Sequence, residues 1–243
     1  MARQRAPRNK IGPLDTCFTP KEEQIEIGID EAGKGPMFGR VYAAAVCLPK
    51  DPASFNHAAM KDSKRFHSKQ LITETAEYIR GNAIAWSVQY EEPGVIDQIN
   101  IRQATFRAMH RAVKSVLQEV LPSPPTGDEI LLLVDGNDFK PYLVINPAVG
   151  LHPINHVCIE GGDNKYTSIA AGSILAKVDR DAYVAELVEQ YPLLDEWYGM
   201  LGNKGYGTAR HMEGIQQYGR SPWHRKSYGL CQTAPLNTSF TVE

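Results

Sequence analysis

Cysteine is scarce in this sequence, and the few cysteines lie far apart. The four cysteines in 243 residues are Cys17, Cys47, Cys158 and Cys231, and no C-x-x-C pair occurs. Zinc sites and disulfide frameworks need cysteines at characteristic spacings. The sequence therefore predicts neither, and we interpret the four residues as buried or incidental thiols.

Long apolar segments are also missing. No apolar run approaches the ~20 residues that a membrane-spanning helix needs, and the basic N-terminus lacks the apolar stretch of a secretory signal. An Arg-rich, acid-poor start is typical of transit peptides too, but Pro7 and Pro13 would interrupt the helix of such a peptide. We expect an intracellular, cytoplasmic protein that does not enter a membrane, and a nuclear setting is equally compatible.

The sequence has no strong net charge. It contains 26 Lys and Arg residues against 28 Asp and Glu, a formal charge of −2, which excludes a uniformly basic nucleic-acid coat but not a local basic face. Residues 1–10 hold four basic side chains and no acid, and residues 202–229 hold five against one acid, Glu213. Both ends are therefore basic, and the excess of acid lies in the middle.

A stretch near the N-terminus has the features of an active-site edge. Alternating residues at 24–29 predict a half-buried strand, and the glycines and proline at 33–36 predict a tight turn. Asp30 and Glu31 therefore lie where the strand ends. Carboxylates suit Mg²⁺ or Mn²⁺, and glycines let a backbone approach a phosphate or sugar closely. A metal-dependent phosphodiester enzyme is the first hypothesis.

Two other interpretations of this stretch compete with that one. A turn that contains Asp and Gly is ordinary loop chemistry. Residues 28–34 also fit the phosphate-binding pattern G-x-x-x-x-G-K, but Gly35 stands where that pattern requires Ser or Thr. Two acids inside the loop would also repel a triphosphate, so nucleotide binding is the weaker interpretation.

The next part of the chain alternates between predicted strands and helices. Residues 41–48 predict a buried strand in a hairpin with the first, and residues 83–90 predict a third strand. Residues 68–80 and 100–120 have the apolar spacing of amphipathic helices, and Ser68 is the predicted N-cap of the first.

A short polar loop, residues 61–64, precedes the first of these helices. Its residues Ser63 and Lys64 could hold phosphates. A solvated loop before the Ser68 cap explains the same composition, and from these residues alone we favour that simpler interpretation.

Two further carboxylates follow predicted strands. Residues 129–134 are almost wholly apolar, as in a strand buried on both faces, and they stop at Asp135. Residues 155–159 predict a shorter strand, and Asp163 follows just before a long helix that begins near Asn164. An Asp-Gly pair is also a plain turn signal, and Asp163 could merely cap the helix.

We divide the chain into three parts. Residues 1–23 predict a flexible basic arm, residues 24–190 the main domain, and residues 191–243 a helical extension with a helix at 208–217. Four small residues at 170–173 would let the long helix pack closely on the sheet. Tyr206 lies between two glycines in a basic loop, where an aromatic ring can stack on nucleic acid.

Together these motifs resemble the type 2 ribonuclease H family, specifically ribonuclease HII, over residues 25–228. Residues 30–36 are similar to the family signature D-E-A-G-[RK]-G-P, and residues 62–64 to its D-S-K. The other matches follow in family order: Asn100-Ile101, Val134-Asp135-Gly136, Gly162-Asp163, Arg180-Asp181, Gly205-Tyr206-Gly207-Thr208, His211, Ser221-Pro222 and His224-Arg225.

Some residues depart from the family pattern. Lys34 replaces the commoner arginine, Gly161 stands where a lysine is usual, and Gly172 interrupts the usual alanine run. Residues 37–39 also resemble the sister family, ribonuclease HIII. That family carries an extra N-terminal substrate-binding domain, which the short segment before the first strand could not supply, so we expect ribonuclease HII.

The resemblance implies an α/β fold of ribonuclease H type: a mixed sheet of about five strands flanked by helices, with a helical C-terminal extension. It places the family's metal-binding and catalytic acids at Asp30, Glu31, Asp135 and Asp163. These acids would bind a pair of Mg²⁺ or Mn²⁺ ions. All of these acids are ones that the strand pattern already singles out.

The resemblance also implies how substrate is bound. Gly33, Lys34 and Gly35 would read the 2′-hydroxyl of a ribonucleotide, and Tyr206 would stack on the sugar of the next, deoxy, nucleotide. Phosphate contacts are expected from Lys34, Lys64, Lys204 and Arg225, and a further substrate contact from Ser63.

The implied reaction is hydrolysis on the 5′ side of a ribonucleotide, in an RNA–DNA hybrid or embedded in duplex DNA, by a monomer. It leaves 3′-hydroxyl and 5′-phosphate ends. A junction resolvase with the same acids is a rival, but the Gly-Lys-Gly turn and Tyr206 argue against it. A non-catalytic nucleic-acid-binding protein is another, and the presence of all four acids argues against that.

Overall fold

A mixed β-sheet lies at the centre of the structure, a computed structural model that describes residues 12–21, 23–126 and 128–240. The strands are β1 (Ile25–Ala32), β2 (Val41–Cys47), β3 (Ala85–Glu91), β4 (Ile130–Asp135), β5 (Leu143–Asn146), β6 (Gly150–Pro153) and β7 (Asn155–Ile159). Five of them form the sheet in the order β3-β2-β1-β4-β7. The pairs β1–β2 and β2–β3 are antiparallel, and the pairs β1–β4 and β4–β7 are parallel. The predicted five-stranded mixed sheet is confirmed.

The helices of the described residues flank this sheet and continue beyond it. They are α1 (Lys69–Asn82), α2 (Pro93–Val120), α3 (Thr167–Gln190), α4 (Leu193–Tyr198), α5 (Met200–Asn203) and α6 (Ala209–Tyr218). The predicted cap of α1 is present, since Ser68 accepts a backbone N–H of the first turn, and Thr208 does the same for α6. Within the described ranges, the search for a helix long and apolar enough to cross a membrane finds none.

The sheet separates two apolar layers, and β2 contributes to both. Ala43 and Ala45 belong to the layer that α2 covers, whereas Ala44 and Val46 belong to the layer of α1 and α3. Because β2 is buried on both faces, its sequence is a continuous apolar run rather than an alternating one.

Both ends of the described chain pack on the α3 side. Tyr198 of α4 and Ile215 of α6 lie in the same apolar cluster as Ile174 of α3. At the other end, the backbone N–H groups of Phe18 and Thr19 donate to the buried carboxylate of Glu26 at 2.7 and 2.8 Å. Residues 1–11 of the predicted arm lie outside the described residues, and the three-part division of the chain stays a prediction.

Helix α2 differs from the prediction at its start. It covers Pro93–Val120 rather than residues 100–120, and Asn100 has a non-helical conformation inside it, with φ 67° and ψ 162°. Pro93 suits the first turn of a helix, and the Asn100 side chain accepts the N–H of Gln103 at 3.1 Å. The predicted boundary is thus a kink, at which Asn100 caps the second half of the helix.

The hairpin of β5 and β6 was not predicted. Three apolar side chains of this hairpin, Leu143, Ile145 and Leu151, are exposed. They therefore do not form a buried face against the core. Periodicity identifies a strand by its buried face, and this hairpin gives little such signal.

The close contact between α3 and β1 fixes the position of the carboxylates. A Cβ atom on Gly28 would lie 2.2 Å from the carbonyl carbon of Ser168, and one on Gly172 would lie 3.2 Å from the backbone nitrogen of Asp30. Small residues at these points let the helix backbone approach the strand, as residues 170–173 predicted. Gly172, which departs from the family's alanine run, lies directly against Asp30.

We predict that Gly28→Ala destabilises the protein by about 3 kcal/mol, because the new methyl group would meet the α3 backbone, which cannot move aside cheaply. Urea unfolding followed by circular dichroism measures this. Gly81→Ala in α1 is the control. Its Cβ would have no described heavy atom within 4 Å, and alanine there should stabilise the helix by about 1 kcal/mol. Equal stability of the two variants would contradict the packing argument.

Candidate active site

The parallel strands bring two carboxylates side by side. In the register of β1 and β4, Ile29 pairs with Val134, and the next residues along the two strands are Asp30 and Asp135. The carboxyl ends of adjacent parallel strands form one edge of a sheet, which is where ligands bind in such folds. Asp30 and Asp135 therefore meet at that edge.

Asp163 joins the same edge from the third parallel strand. β7 pairs with β4 up to Asp135–Ile159, and Asp163 follows in a short 3₁₀ turn, Gly162–Asn164. Helix α3 begins at Thr167 with Tyr166 as its N-cap, and among the described residues no side chain caps it. The alternative that Asp163 merely caps this helix is therefore wrong.

The two carboxylate oxygens of Glu31 have different surroundings, because one lies beside Lys34 and the other has no described partner. Its Oε1 lies 2.6 Å from Nζ of Lys34. Its Oε2 is buried and has no hydrogen-bond partner among the described residues. A buried oxygen without a partner is costly, so this atom is suited to a ligand that supplies positive charge.

Burial and mutual repulsion both raise pKa values within the cluster. The pKa of Asp30 is raised well above its usual value by burial and by the charges of Glu31 and Asp135. Burial, with the charges of Asp62 and Asp135, also raises the pKa of Asp163. Like charges in a buried site disfavour each other's ionisation, and a bound divalent cation would relieve this repulsion.

Asp30, Glu31 and Asp135 open into a cleft of about 390 Å³, whereas Asp163 is buried and is not among the residues that line it. One wall is α3, whose side chains Ser173, Lys177 and Arg180 face the cleft at helical spacing. The cleft contains Asp30, Glu31 and Asp135 together with all the predicted substrate-binding residues except Arg225, namely Gly33, Lys34, Gly35, Ser63, Lys64, Lys204 and Tyr206.

Ser63 and Lys64 occupy different positions in this cleft. Ser63 is buried, and its Oγ lies 3.0 Å from Oγ of Ser173, which itself bonds Asp30. Lys64 is exposed, and although partial burial opposes it, its pKa is raised by the nearby carboxylates, Asp163 foremost. Lys64 is thus placed to meet an anion at the acids, and Ser63 to support Asp30.

The prediction that Arg225 contacts phosphate is wrong. This side chain is completely buried, and it donates to the backbone carbonyls of Gly33 at 2.6 Å, Lys34 at 3.1 Å, Gly39 at 2.9 Å and Arg40 at 3.1 Å. Burial lowers its pKa to about 10, so it stays charged at neutral pH. Arg225 holds the Gly33–Gly35 turn in place from its buried side.

Tyr206 lies over the same turn. Its ring is 52% exposed, and its Cε1 would be 3.4 Å from a Cβ on Gly35. The loop that carries it is tied to the turn, because the N–H of Met37 donates to Gly205 O at 2.9 Å. The two predicted readers of the substrate sugars are therefore neighbours.

Sequence patterns alone did not identify Arg180 as part of this site. It is buried, its Nη2 donates to Lys204 O at 2.7 Å, and its Nε has no partner among the described residues. A Cβ on Gly33, whose φ is +95°, would lie 2.4 Å from that Nε. Only the family motif that contains Arg180 gave a signal, because a buried arginine on a helix has no distinctive spacing.

The chain matches one family along most of its length. The sequence model of the family described as Ribonuclease HII matches residues 27–231. Ribonuclease HII of Bacteroides thetaiotaomicron is 42% identical over 219 residues, which cover 90% of this chain and 96% of that protein. The chain belongs to the ribonuclease HII family. It is therefore an enzyme, a nuclease of the ribonuclease H type.

Solved structures show the same ribonuclease H fold. The ribonuclease H2 from Pyrococcus horikoshii OT3 matches with a TM-score of 0.65 at 21% identity, over 86% of this chain and 96% of that one. Bst-RNase HIII in complex with Mn²⁺ matches with a TM-score of 0.57 at 18% identity, over 87% of this chain and 66% of that one. The fold predicted for a ribonuclease HII is confirmed.

The acids of this site do not form a closed metal cage. Over residues 12–21, 23–126 and 128–240, no group of three or more His, Cys, Asp or Glu side chains is arranged to hold a metal ion. Glu31 is paired with Lys34, and Asp135 accepts the N–H of Gly162 at 2.7 Å. A cation could bind Oε2 of Glu31 as it stands, but it would have to displace Lys34 to reach Oε1.

We predict that Asp30→Asn raises the Tm of the metal-free protein at neutral pH. A carboxyl whose pKa is raised on folding destabilises the fold wherever it is ionised, and a neutral amide removes that cost. The native protein should gain about 2.7 kcal/mol from Mg²⁺ or Mn²⁺ at a hundred times Kd, and the variant much less. Thermal melts with a chelator and with each ion measure both effects. An ion-dependent shift of equal size in the two proteins would show that Asp30 holds no metal.

Proposed function

We propose that this enzyme hydrolyses the phosphodiester on the 5′ side of a ribonucleotide, in an RNA–DNA hybrid or embedded in duplex DNA. The observation that carries the proposal is one cleft that joins Asp30, Glu31 and Asp135 to the Gly33–Gly35 turn and Tyr206. Carboxylates supply the chemistry, and the turn and the ring supply the means to tell ribose from deoxyribose.

The four acids fit a pair of divalent ions. Asp30, Glu31, Asp135 and Asp163 offer only oxygen ligands, which Mg²⁺ and Mn²⁺ prefer. Oε2 of Glu31 is buried and has no hydrogen-bond partner among the described residues. When bound, a pair of such ions would promote attack by water and stabilise the charge on the leaving 3′-oxygen. The products would be a 3′-hydroxyl and a 5′-phosphate.

The chain's own residues position the substrate. Lys64 beside the acids and Lys204 near Arg180 would contact phosphates, which orient a duplex without reading its sequence. The backbone of the Gly33–Gly35 turn would meet the 2′-hydroxyl, the group by which a protein distinguishes RNA from DNA. Arg225 fixes this turn through its carbonyls, so the turn would read the hydroxyl in a rigid geometry.

The role of Lys34 follows from its ion pair. In the present arrangement its ammonium neutralises Glu31. If Glu31 turns to a metal ion, Lys34 is released towards the cleft, where its charge can meet the substrate backbone. Every group of this site comes from one chain, so we propose that the enzyme works as a monomer.

The test is incision of an end-labelled DNA duplex that carries one ribonucleotide, in Mg²⁺ and in Mn²⁺. An all-DNA duplex and an RNA–DNA hybrid are assayed beside it. We expect a cut 5′ to the ribonucleotide and no cut in the all-DNA duplex. Cutting of all three substrates would contradict recognition of the 2′-hydroxyl, and tight binding without any cut would favour a non-catalytic role.

Asp135→Asn tests the assignment of the acids in the same assay. We expect incision to fall at least about 100-fold, because a metal ligand supports several kcal/mol of transition-state stabilisation. Asp138→Asn is the matched control. Asp138 is a nearby acid on the same loop, but it is exposed and pairs with Arg102 at 2.5 Å. Full activity of Asp135→Asn in Mg²⁺ would show that the assignment is wrong.

A further inference from the structure

A chain of buried hydrogen bonds runs from the C-terminal segment to the backbone of Tyr206. The N–H of Ser221 donates to Nδ1 of His224 at 2.9 Å, and the Oγ of Ser221 lies 2.7 Å from the same nitrogen. Nε2 of His224 lies 2.9 Å from Nε2 of His211. Nδ1 of His211 lies 2.9 Å from the carbonyl oxygen of Tyr206. Ser221, His224 and His211 are all almost completely buried, so water does not compete for these bonds.

The backbone N–H at Ser221 determines the direction of every proton in this chain. A backbone N–H can only donate, so Nδ1 of His224 must be the accepting nitrogen, and its proton is on Nε2. The Ser221 hydroxyl, which can donate or accept, then donates to the same Nδ1. Nε2 of His224 then donates to Nε2 of His211, which leaves the proton of His211 on Nδ1. That proton is donated to the Tyr206 carbonyl. Both histidines are therefore neutral, in opposite tautomers.

The surroundings of the pair favour this neutral state. Burial lowers the pKa of His211. Burial lowers the pKa of His224 further, as do His211 and the positive charge of Arg220. The rings of Phe38 and Tyr198 pack on His224 at centroid distances of 5.2 and 4.9 Å. A protonated imidazole would be unfavourable here, so the order of the protons is stable at neutral pH.

The position of Tyr206 depends on its backbone more than on its side chain. The ring is half exposed and lies against Gly35 and 6.0 Å from the Arg180 guanidinium. The carbonyl, in contrast, accepts from His211 and from the N–H of Thr208 at 2.8 Å. The contact with His211 is the one that reaches outside the local turn.

We propose that His211 and His224 are positioning residues that hold Tyr206 at a fixed distance from the Gly33–Gly35 turn, and thereby set the preference of the enzyme for an RNA–DNA junction. The inference rests on the sugar-stacking role proposed above for Tyr206. Segment 221–225 would then position both sugar-reading elements, since Arg225 holds the turn and His224 holds the loop through His211.

Two variants of His211 separate this role from simple packing. Asparagine places its amide nitrogen near the position of Nδ1, so His211→Asn can still donate to the Tyr206 carbonyl but loses His224. Glutamine reaches the position of Nε2, so His211→Gln can still accept from His224 but loses the Tyr206 carbonyl. Each variant breaks one buried hydrogen bond, and thermal melts should show similar losses of Tm.

The readout is the ratio of kcat/KM for a duplex with one ribonucleotide to kcat/KM for a continuous RNA–DNA hybrid. We expect His211→Gln to lower this ratio by about tenfold, and His211→Asn to keep it within about threefold of the native value. Equal ratios in the two variants would overturn the proposal, because a packing role affects both alike. Tyr206→Ala is measured beside them, and a native ratio in that variant would contradict the proposed stacking role rather than the hydrogen-bond chain.

A measurement on the native, metal-free protein tests the chain without activity. Long-range nitrogen–proton correlation spectra of nitrogen-15-labelled protein at neutral pH distinguish the two neutral tautomers of each histidine. We expect the proton of His211 on Nδ1 and that of His224 on Nε2. The reverse assignment, or a charged imidazole at either position, would overturn the proposal even if the His211 variants do not fold.

Discussion

The close approach of helix α3 to strand β1 is the contact on which the active site depends. At Gly28 the helix backbone occupies the space in which any other residue would place its side chain. Helix α3 carries Ser173, Lys177 and Arg180 into the cleft, while β1 carries Asp30 and Glu31. The separation of these two elements therefore sets every distance between the acids and the basic wall opposite them, and such a contact has little freedom to adjust.

That rigid contact holds a cluster that repels itself. Asp30 is buried beside two other carboxylates, and its pKa is raised in consequence. The fold thus tolerates a local cost at the sheet edge, which the apolar layers on both faces of the sheet offset. Strain of this kind at a functional site is common, because groups arranged for a ligand are seldom arranged for stability. Lys34 and the Gly162 N–H partly relieve the cluster by pairing with Glu31 and Asp135.

The parts of the structure that sequence predicted are those that repeat a local pattern. Strands β1, β2, β4 and β7 and helices α1, α3 and α6 were predicted because burial leaves a periodic or continuous apolar trace. The acids at the ends of the parallel strands were predicted from the same patterns, since the sequence alone shows an apolar run that ends at a carboxylate. Helix α2 was placed too late, because the Pro93-Gly94 pair at its start is a turn signal in the sequence.

Other parts could not be predicted because they depend on partners distant in sequence. The Arg225 side chain bonds carbonyls more than 180 residues away, and a basic, aromatic segment gives no sign of whether its cation faces solvent or backbone. We expected a phosphate contact because a cation near a nucleic-acid site most simply serves that purpose. Carbonyl groups of an irregular turn need donors as much as phosphates do, and here that need decides the role of the arginine.

This role of Arg225 suggests that the sheet edge and the Gly33–Gly35 turn have different mechanical requirements. In the proposed function, Glu31 would exchange Lys34 for a cation, so the charged groups at the sheet edge would need freedom to move. The turn and the Tyr206 loop would have the opposite requirement, because discrimination between ribose and deoxyribose would need donors and a ring in fixed positions. Segment 221–225 would hold both elements from the buried side, the turn through the Arg225 guanidinium and the loop through the His224–His211 pair. Specificity would then depend on buried contacts that do not touch the substrate. These contacts would fix the positions of the exposed residues that line the cleft.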